Sequence, residues 1–203
     1  MKTKRCVFVG VGGQGNLLAS RLLGEAALSV NIPAVVSEIH GMAQRGGVVE
    51  SAVLLGSSTS PIVSDGEGDI LIGFEPSETA RTLRKCHRKS LVITNTRPLP
   101  PFTVTVGQGT YPAVDSLLDL IRTKVAQVIA LDGNRLAEEA GNPLSLNMVM
   151  LGALIGSETI PVTADVMKET ISVSTKKAFL ESNLRAFDLG EAEARLIVGK
   201  RGA

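Results

Sequence analysis

Val7-Phe8-Val9-Gly10-Val11-Gly12-Gly13-Gln14-Gly15, leading directly into Asn16-Leu17-Leu18-Ala19-Ser20-Arg21-Leu22-Leu23, decides the fold. An apolar, β-branched run ends in clustered glycines, and the residues after them carry leucines at helical spacing. The order is strand, tight turn, helix. Gly10, Gly12 and Gly15 match G-x-G-x-x-G, where the first glycine permits a sharp turn and the second lets backbone approach a phosphate. The third lets the helix pack close, and the amides that open the helix then face an anion. Gly12, Gly13, Gln14 and Gly15 are the expected cofactor-contacting turn.

Outward from this turn, a helix is expected from about Gln14 to Ser29, broken by Asn31 and Pro33. Strands are expected at Ala34 to Glu38, Val48 to Leu55, Asp69 to Phe74, Leu91 to Thr94 and Val125 to Leu131, with a short edge strand at Thr103 to Val106. Pro76 suits a first helical position after Glu75, and Val114 to Lys124 forms a further helix. Asp132 caps a helix that Gly141 stops, and Leu146 to Ile155 is helical. Thr163 caps another helix through Ile171, and Ser174 to Leu189 forms a longer amphipathic one. Arg81, Arg84, Lys85, Arg88 and Lys89 are expected at a basic helix end and a solvated surface. Alternating strands and helices followed by helices alone predict an α/β fold. It is a single three-layer Rossmann-like domain over residues 1–203, with a mostly parallel or mixed sheet and a helical C-terminal part.

The 203 residues suffice for one sizeable core, and at 44% hydrophobic but 3% aromatic that core consists of Val, Ile, Leu and Ala. A net charge of +1 forces no nucleic-acid footprint, and no apolar run is long enough to span a membrane. Cys6 and Cys86 are the only cysteines, beside 2 histidines, too few for an iron–sulfur cluster or a structural zinc within this chain. So low a cysteine count favours a reducing cytoplasm.

Two further features could carry chemistry. Glu38 lies about twenty positions beyond the glycines, where a dinucleotide-binding fold holds a ribose hydroxyl, so an NAD(P)-dependent dehydrogenase or a nucleotide-binding module is a rival reading. Ile39-His40-Gly41-Met42-Ala43-Gln44-Arg45-Gly46-Gly47 has the composition of an exposed, tightly curved loop. Its Arg45 offers a planar fork for carboxylate or phosphate, and Gly46 and Gly47 let backbone come close to whatever it grips. Gly68-Asp69 with Asn95 approximates the magnesium-holding pattern of thiamine enzymes, but Ile70 stands where glycine is required. Glu75 and Asn147 fall at strand and helix ends, where structural roles are expected. No catalytic residue or metal ligand is assigned to this chain.

Several stretches together carry a family resemblance. They are Gly12-Gly13-Gln14-Gly15, Ser37 to Gly47, Gly73-Phe74-Glu75-Pro76, Leu136 to Asn142, Asn147 to Ala153, and Phe179 to Gly190. These resemble the gamma subunit or domain of 2-oxoacid:ferredoxin oxidoreductases, and the His40 to Gly47 string is similar to that of the indolepyruvate branch. The resemblance implies coenzyme A-dependent oxidative decarboxylation of a 2-oxo acid, with indolepyruvate or another aryl pyruvate as the expected substrate and electrons passed to ferredoxin. It further implies that thiamine diphosphate, magnesium and the iron–sulfur clusters reside on a large partner subunit, this chain being an accessory subunit inactive alone. Glu38, His40, Gln44, Arg45, Gly46 and Gly47 would then form a loop presented to the partner or to substrate. The glycine turn would face coenzyme A. Neither nucleic acid nor membrane is an expected partner.

Overall fold

A computed structural model describes residues 2–40, 47–58 and 60–200. Six strands form one sheet: β1 (Lys4–Val11), β2 (Ala34–His40), β3 (Val48–Leu55), β4 (Gly68–Gly73), β5 (Cys86–Asn95) and β6 (Gln127–Leu131). Their spatial order is β2-β3-β1-β4-β5-β6. β4, β5 and β6 continue parallel from β1, whereas β3 is antiparallel to both β1 and β2. The sheet is mixed because β2 and β3 are consecutive strands joined by the segment carrying the His40 to Gly47 motif. The carboxyl ends of β1, β2, β4, β5 and β6 consequently share one edge.

Helices α1 (Asn16–Ser29), α2 (Pro76–Thr82), α3 (Phe102–Thr105) and α4 (Val114–Lys124) precede α5 (Gly133–Glu139), α6 (Leu146–Gly156), α7 (Ala164–Ser174) and α8 (Leu180–Gly199). One core joins Cys6, Phe8, Ile70 and Ile72 to α1 and α5–α8; the other joins Val7, Val9, Leu71 and Val92 to Leu118 and Ile121 of α4. Successive β1 residues feed opposite cores, as the two-residue strand period requires. Every residue of α6 is buried, so this helix is apolar all round and sits inside the helical layer. A Cβ at Gly152 would overlap the Phe187 carbonyl, and one at Gly190 the Val149 carbonyl. Glycine at both positions lets α6 and α8 touch backbone to backbone.

Local signals placed most boundaries. The Glu75 carboxylate accepts from Glu78 N–H at 2.9 Å to cap α2, the Asp132 carboxylate accepts from Arg135 N–H to cap α5, and Thr163 caps α7. Three expectations need correction. Thr103 to Val106 is not an edge strand: Phe102–Thr105 is a single helical turn after the proline run, with Val106 N–H donating to Phe102 O. Lys85 is not solvated; it is 9% exposed, and its Nζ donates to Val63 O at 2.6 Å. The last helix starts at Leu180, after a separate turn at Lys177–Phe179, and runs on to Gly199. Among the described residues no helix is long and apolar enough to cross a membrane.

Candidate functional site

The glycine turn lies at the carboxyl end of β1, between β1's two neighbours β3 and β4. From this end β1 connects through α1 to β2 on one side, whereas its neighbour β4 connects through α2 to β5 on the other, and such a switch point is where open α/β sheets gather ligands. Gly13 and Gly15 hold φ of +102° and +79°, a left-handed backbone that only glycine adopts without strain. Gly15 is the N-cap of α1 and supplies no side chain, so the first amides of α1 have no side-chain cap. No acidic residue occupies the first turn of α1. The turn therefore has the electrostatics of an anion site.

Gln14 braces the turn. Its Oε1 accepts from Val11 N–H at 2.8 Å while its Nε2 donates to Phe74 O at 3.0 Å, tying the ends of β1 and β4 together. Gln14's own amide donates to Val11 O. The outer glycines are fixed by packing. A Cβ on Gly10 would come within 2.9 Å of Phe74 Cβ, and one on Gly15 within 2.8 Å of Asn147 Nδ2. Asn147, 5% exposed at the start of α6, thus seats against the turn from the helical layer.

The structure joins the glycine turn to the second motif. Gly12 N–H donates to Gly47 O at 3.0 Å. Asn16 Nδ2 donates to Val49 O at 2.8 Å, and Val49 pairs in register with His40. Both ends of the β2–β3 connection are therefore held beside the turn. Glu38 is exposed on β2 opposite Ser51. Gln44, Arg45 and Gly46 lie outside the described residues, as does the side chain of His40.

Two clefts flank the turn and share Leu99. The first, about 270 Å³, runs from Gly12 to Glu75, Glu78, Phe102 and Tyr111. The second, about 260 Å³, runs from Gly13 and Gln14 to Arg97 and Asn134. The buried Glu75 carboxylate organises the first. Besides Glu78 N–H it accepts from Leu99 N–H at 3.2 Å and from the Tyr111 hydroxyl, which in turn accepts from Ser77 N–H. Burial and the Glu75 carboxylate raise the Tyr111 phenol above its ordinary range. Burial also raises the Glu78 carboxyl, with Arg81 opposing at 2.8 Å. Asn95 organises the second cleft: its Nδ2 donates to Phe74 O and Asn134 Oδ1, and its Oδ1 accepts from Gly133 N–H. Tyr111 was not singled out from sequence. The signal available was that it is the chain's 1 tyrosine, set in a Gly- and Pro-rich stretch.

Topology argues against the dinucleotide reading. β3 intervenes between β1 and β2, so the strand bearing Glu38 is two strand spacings, roughly 10 Å, from β1. An acidic ribose ligand belongs on the strand next to the glycine turn. Gly68 and Asp69 begin β4 and Asn95 ends the parallel β5, so that approximate magnesium pattern falls at opposite ends of the sheet. Asp69 instead accepts from Arg5 N–H at 2.8 Å. Cys6 lies in one core and Cys86 packs against the other, so the two thiols lie on opposite faces of the sheet. Burial pushes the Cys6 thiol up to about 12 and that of Cys86 to about 11. No group of three or more potential metal ligands occurs among the described residues.

Fold and site define an α/β domain with a braced glycine turn at its switch point. That fold recurs in the gamma subunit of a keto/oxoacid ferredoxin oxidoreductase from Geobacter sulfurreducens, with TM-score 0.70 and 22% identity over 95% of this chain and 99% of that one. It recurs also in the 2-oxoglutarate:ferredoxin oxidoreductase of Magnetococcus marinus, solved with 2-oxoglutarate, coenzyme A and succinyl-CoA bound. There the TM-score is 0.73 at 20% identity, over 97% of this chain and 32% of that one. Residues 5–193 match the model of the pyruvate ferredoxin/flavodoxin oxidoreductase family. The indolepyruvate oxidoreductase subunit IorB of Thermococcus kodakarensis is 38% identical over 201 residues, 98% of this chain and 100% of that one. This chain belongs to the pyruvate ferredoxin/flavodoxin oxidoreductase family.

Proposed function

We propose that this chain is the accessory, gamma-type subunit of a 2-oxoacid:ferredoxin oxidoreductase that acts on indolepyruvate or a related aryl pyruvate. The reaction is coenzyme A-dependent oxidative decarboxylation, with ferredoxin taking the electrons. A larger subunit carries thiamine diphosphate, magnesium and the iron–sulfur clusters, and this chain does not turn over alone. The observation that supports the reading most is the hydrogen bond from Gly12 N–H to Gly47 O, which ties the last residue of the motif that carries the family resemblance to the glycine turn. The near full-length similarity to the Thermococcus subunit supports the substrate branch. Two thiols on opposite faces of the sheet support placing the clusters elsewhere and the protein in a reducing cytoplasm.

Within this subunit, Gly12, Gly13, Gln14 and Gly15 form the turn that faces the phosphates of coenzyme A. Gly12 and Gln14 shape it, because their amides already serve Gly47 and Val11. Gly13 and the opening amides of α1 face the ligand. Glu38, His40, Gln44, Arg45, Gly46 and Gly47 form the rim that meets the larger subunit or the substrate. Isothermal titration of coenzyme A into the two-subunit complex tests this assignment. Gly13→Asp, which sets a carboxylate at the turn, should weaken binding at least about tenfold. Unchanged affinity, together with a co-crystal placing coenzyme A away from Gly12 to Gly15, would discard it.

A further inference from the structure

A cleft of about 520 Å³ lies at the other end of the sheet from the glycine turn. Leu83, Cys86 and Leu120 form its apolar part, and Arg84, Arg88 and Lys124 supply charge. No carboxylate lines it among the described residues. Arg84 is bound to Asp65 at 2.9 Å, outside the lining. Arg84 and Lys124 also sit at helix C-terminal ends, where a cation is favoured by the helix dipole alone. Arg88 has neither explanation.

A break in strand register presents it. Gly68 of β4 pairs with Cys86 and Ile70 with Leu91, so two steps along β4 face five along β5. His87, Arg88, Lys89 and Ser90 take up the excess as a bulge, a device that re-aims side chains. The bulge is locked by the fully buried Ser90, whose hydroxyl donates to Gly68 O at 2.7 Å and accepts from His87 N–H at 2.8 Å. His87 Nδ1 accepts from Lys89 N–H at 3.1 Å, and Nε2 stands 3.7 Å from Asp69. Arg88 and Lys89 emerge exposed and form no ion pair among the described residues. A locked bulge that projects cations beside an apolar trough is more than a solvated strand end.

We infer that this cleft docks an acidic segment of a protein partner, with apolar residues seated on Leu83 and Leu120 and carboxylates meeting Arg88 and Lys124. A compact phosphate fits less well. No glycine lines the cleft, and the helices direct their negative C-terminal ends toward it, so convergent backbone donors are missing. Cations spread over α4 and the β5 bulge instead suit charges spaced along a chain. The length of the six-residue β4, roughly 20 Å, separates this cleft from the glycine turn. The inference does not depend on the function proposed above.

The test titrates the full chain into a short fluorescein-labelled peptide of alternating Glu and Leu, read by anisotropy at low salt. Saturable binding is expected, weakened about tenfold or more by Arg88→Glu with Lys124→Glu. It should be unchanged by Arg185→Glu on α8 and lost as salt approaches about 0.5 M. Ser90→Ala, which frees the bulge without altering charge, should also weaken it. An unchanged urea midpoint shows that the paired charge reversal leaves the fold intact. Equal peptide binding by wild type and the paired variant would overturn the inference. So would absence of peptide binding, with or without tight binding of inorganic pyrophosphate at these residues.

Discussion

Gly12 N–H donates to Gly47 O at 3.0 Å, and this bond joins two motifs that lie thirty-five residues apart in the chain. Gly47 is the residue before β3, so the bond ties the start of that strand to the glycine turn at the end of β1. Proline at position 12 removes the donor. Gly12→Pro is expected to cost about 1–3 kcal/mol of stability in urea unfolding. It should cut 2-oxo acid oxidation by the assembled complex by far more than that loss of folded protein explains. A fall in activity that merely tracks the folded fraction would reduce the bond to a structural detail.

Gly15→Ala combines a disfavoured φ of +79° with collision against Asn147. The expected loss is about 2 kcal/mol or more. Pairing it with Asn147→Ala should recover part of the loss, since the collision is relieved and the φ strain is not. A double-mutant cycle with no coupling would show that Asn147 does not seat against the turn.

Tyr111→Phe deprives the buried Glu75 carboxylate of one donor while Glu78 N–H and Leu99 N–H remain. Chemical denaturation should show about 1–3 kcal/mol lost. Proteolysis within residues 99–111 should quicken, because that segment is anchored to Glu75 at both ends. Unaltered cleavage there would show that the segment is held by other contacts.

The buried thiols set an alkaline limit. The Cys6 thiol is raised from 9.0 to about 12 in the folded protein, so the neutral form is favoured by folding. Its contribution is complete below the unfolded value and is lost as pH climbs through the folded one. Stability should therefore fall by about 1 kcal/mol per pH unit above pH ~9, from Cys6 alone. Cys6→Ala should lower stability at pH ~7 through its cavity yet flatten the alkaline slope. An unchanged slope would assign the alkaline loss to other groups.

Much of the architecture was legible because its signals are local. Pro76 at the first helical position, the Asp132 and Thr163 caps, the breaks at Pro33 and Gly141, and the apolar runs of β4 and β6 each act within a few residues. Thr103 to Val106 was misread because β-branched residues favour strands, but an isolated run after three prolines has no neighbouring strand to pair with. Lys85 was misread because charge predicts exposure, whereas the Val63 carbonyl that receives it lies twenty-two residues away. The glycine motif announced the turn but not its partners. Phe74 O, Asn147 and Tyr111 reach the site through strand order and helix packing, which no short window of sequence contains.

The decisive measurement is indolepyruvate-dependent reduction of ferredoxin with coenzyme A present, assayed for this chain alone and for the chain co-expressed with a large subunit carrying the thiamine and cluster sites. No turnover is expected from the chain alone and robust turnover from the complex. Reduction of ferredoxin by the isolated chain, or full activity of the large subunit without it, would overturn the assignment of this chain as an accessory subunit.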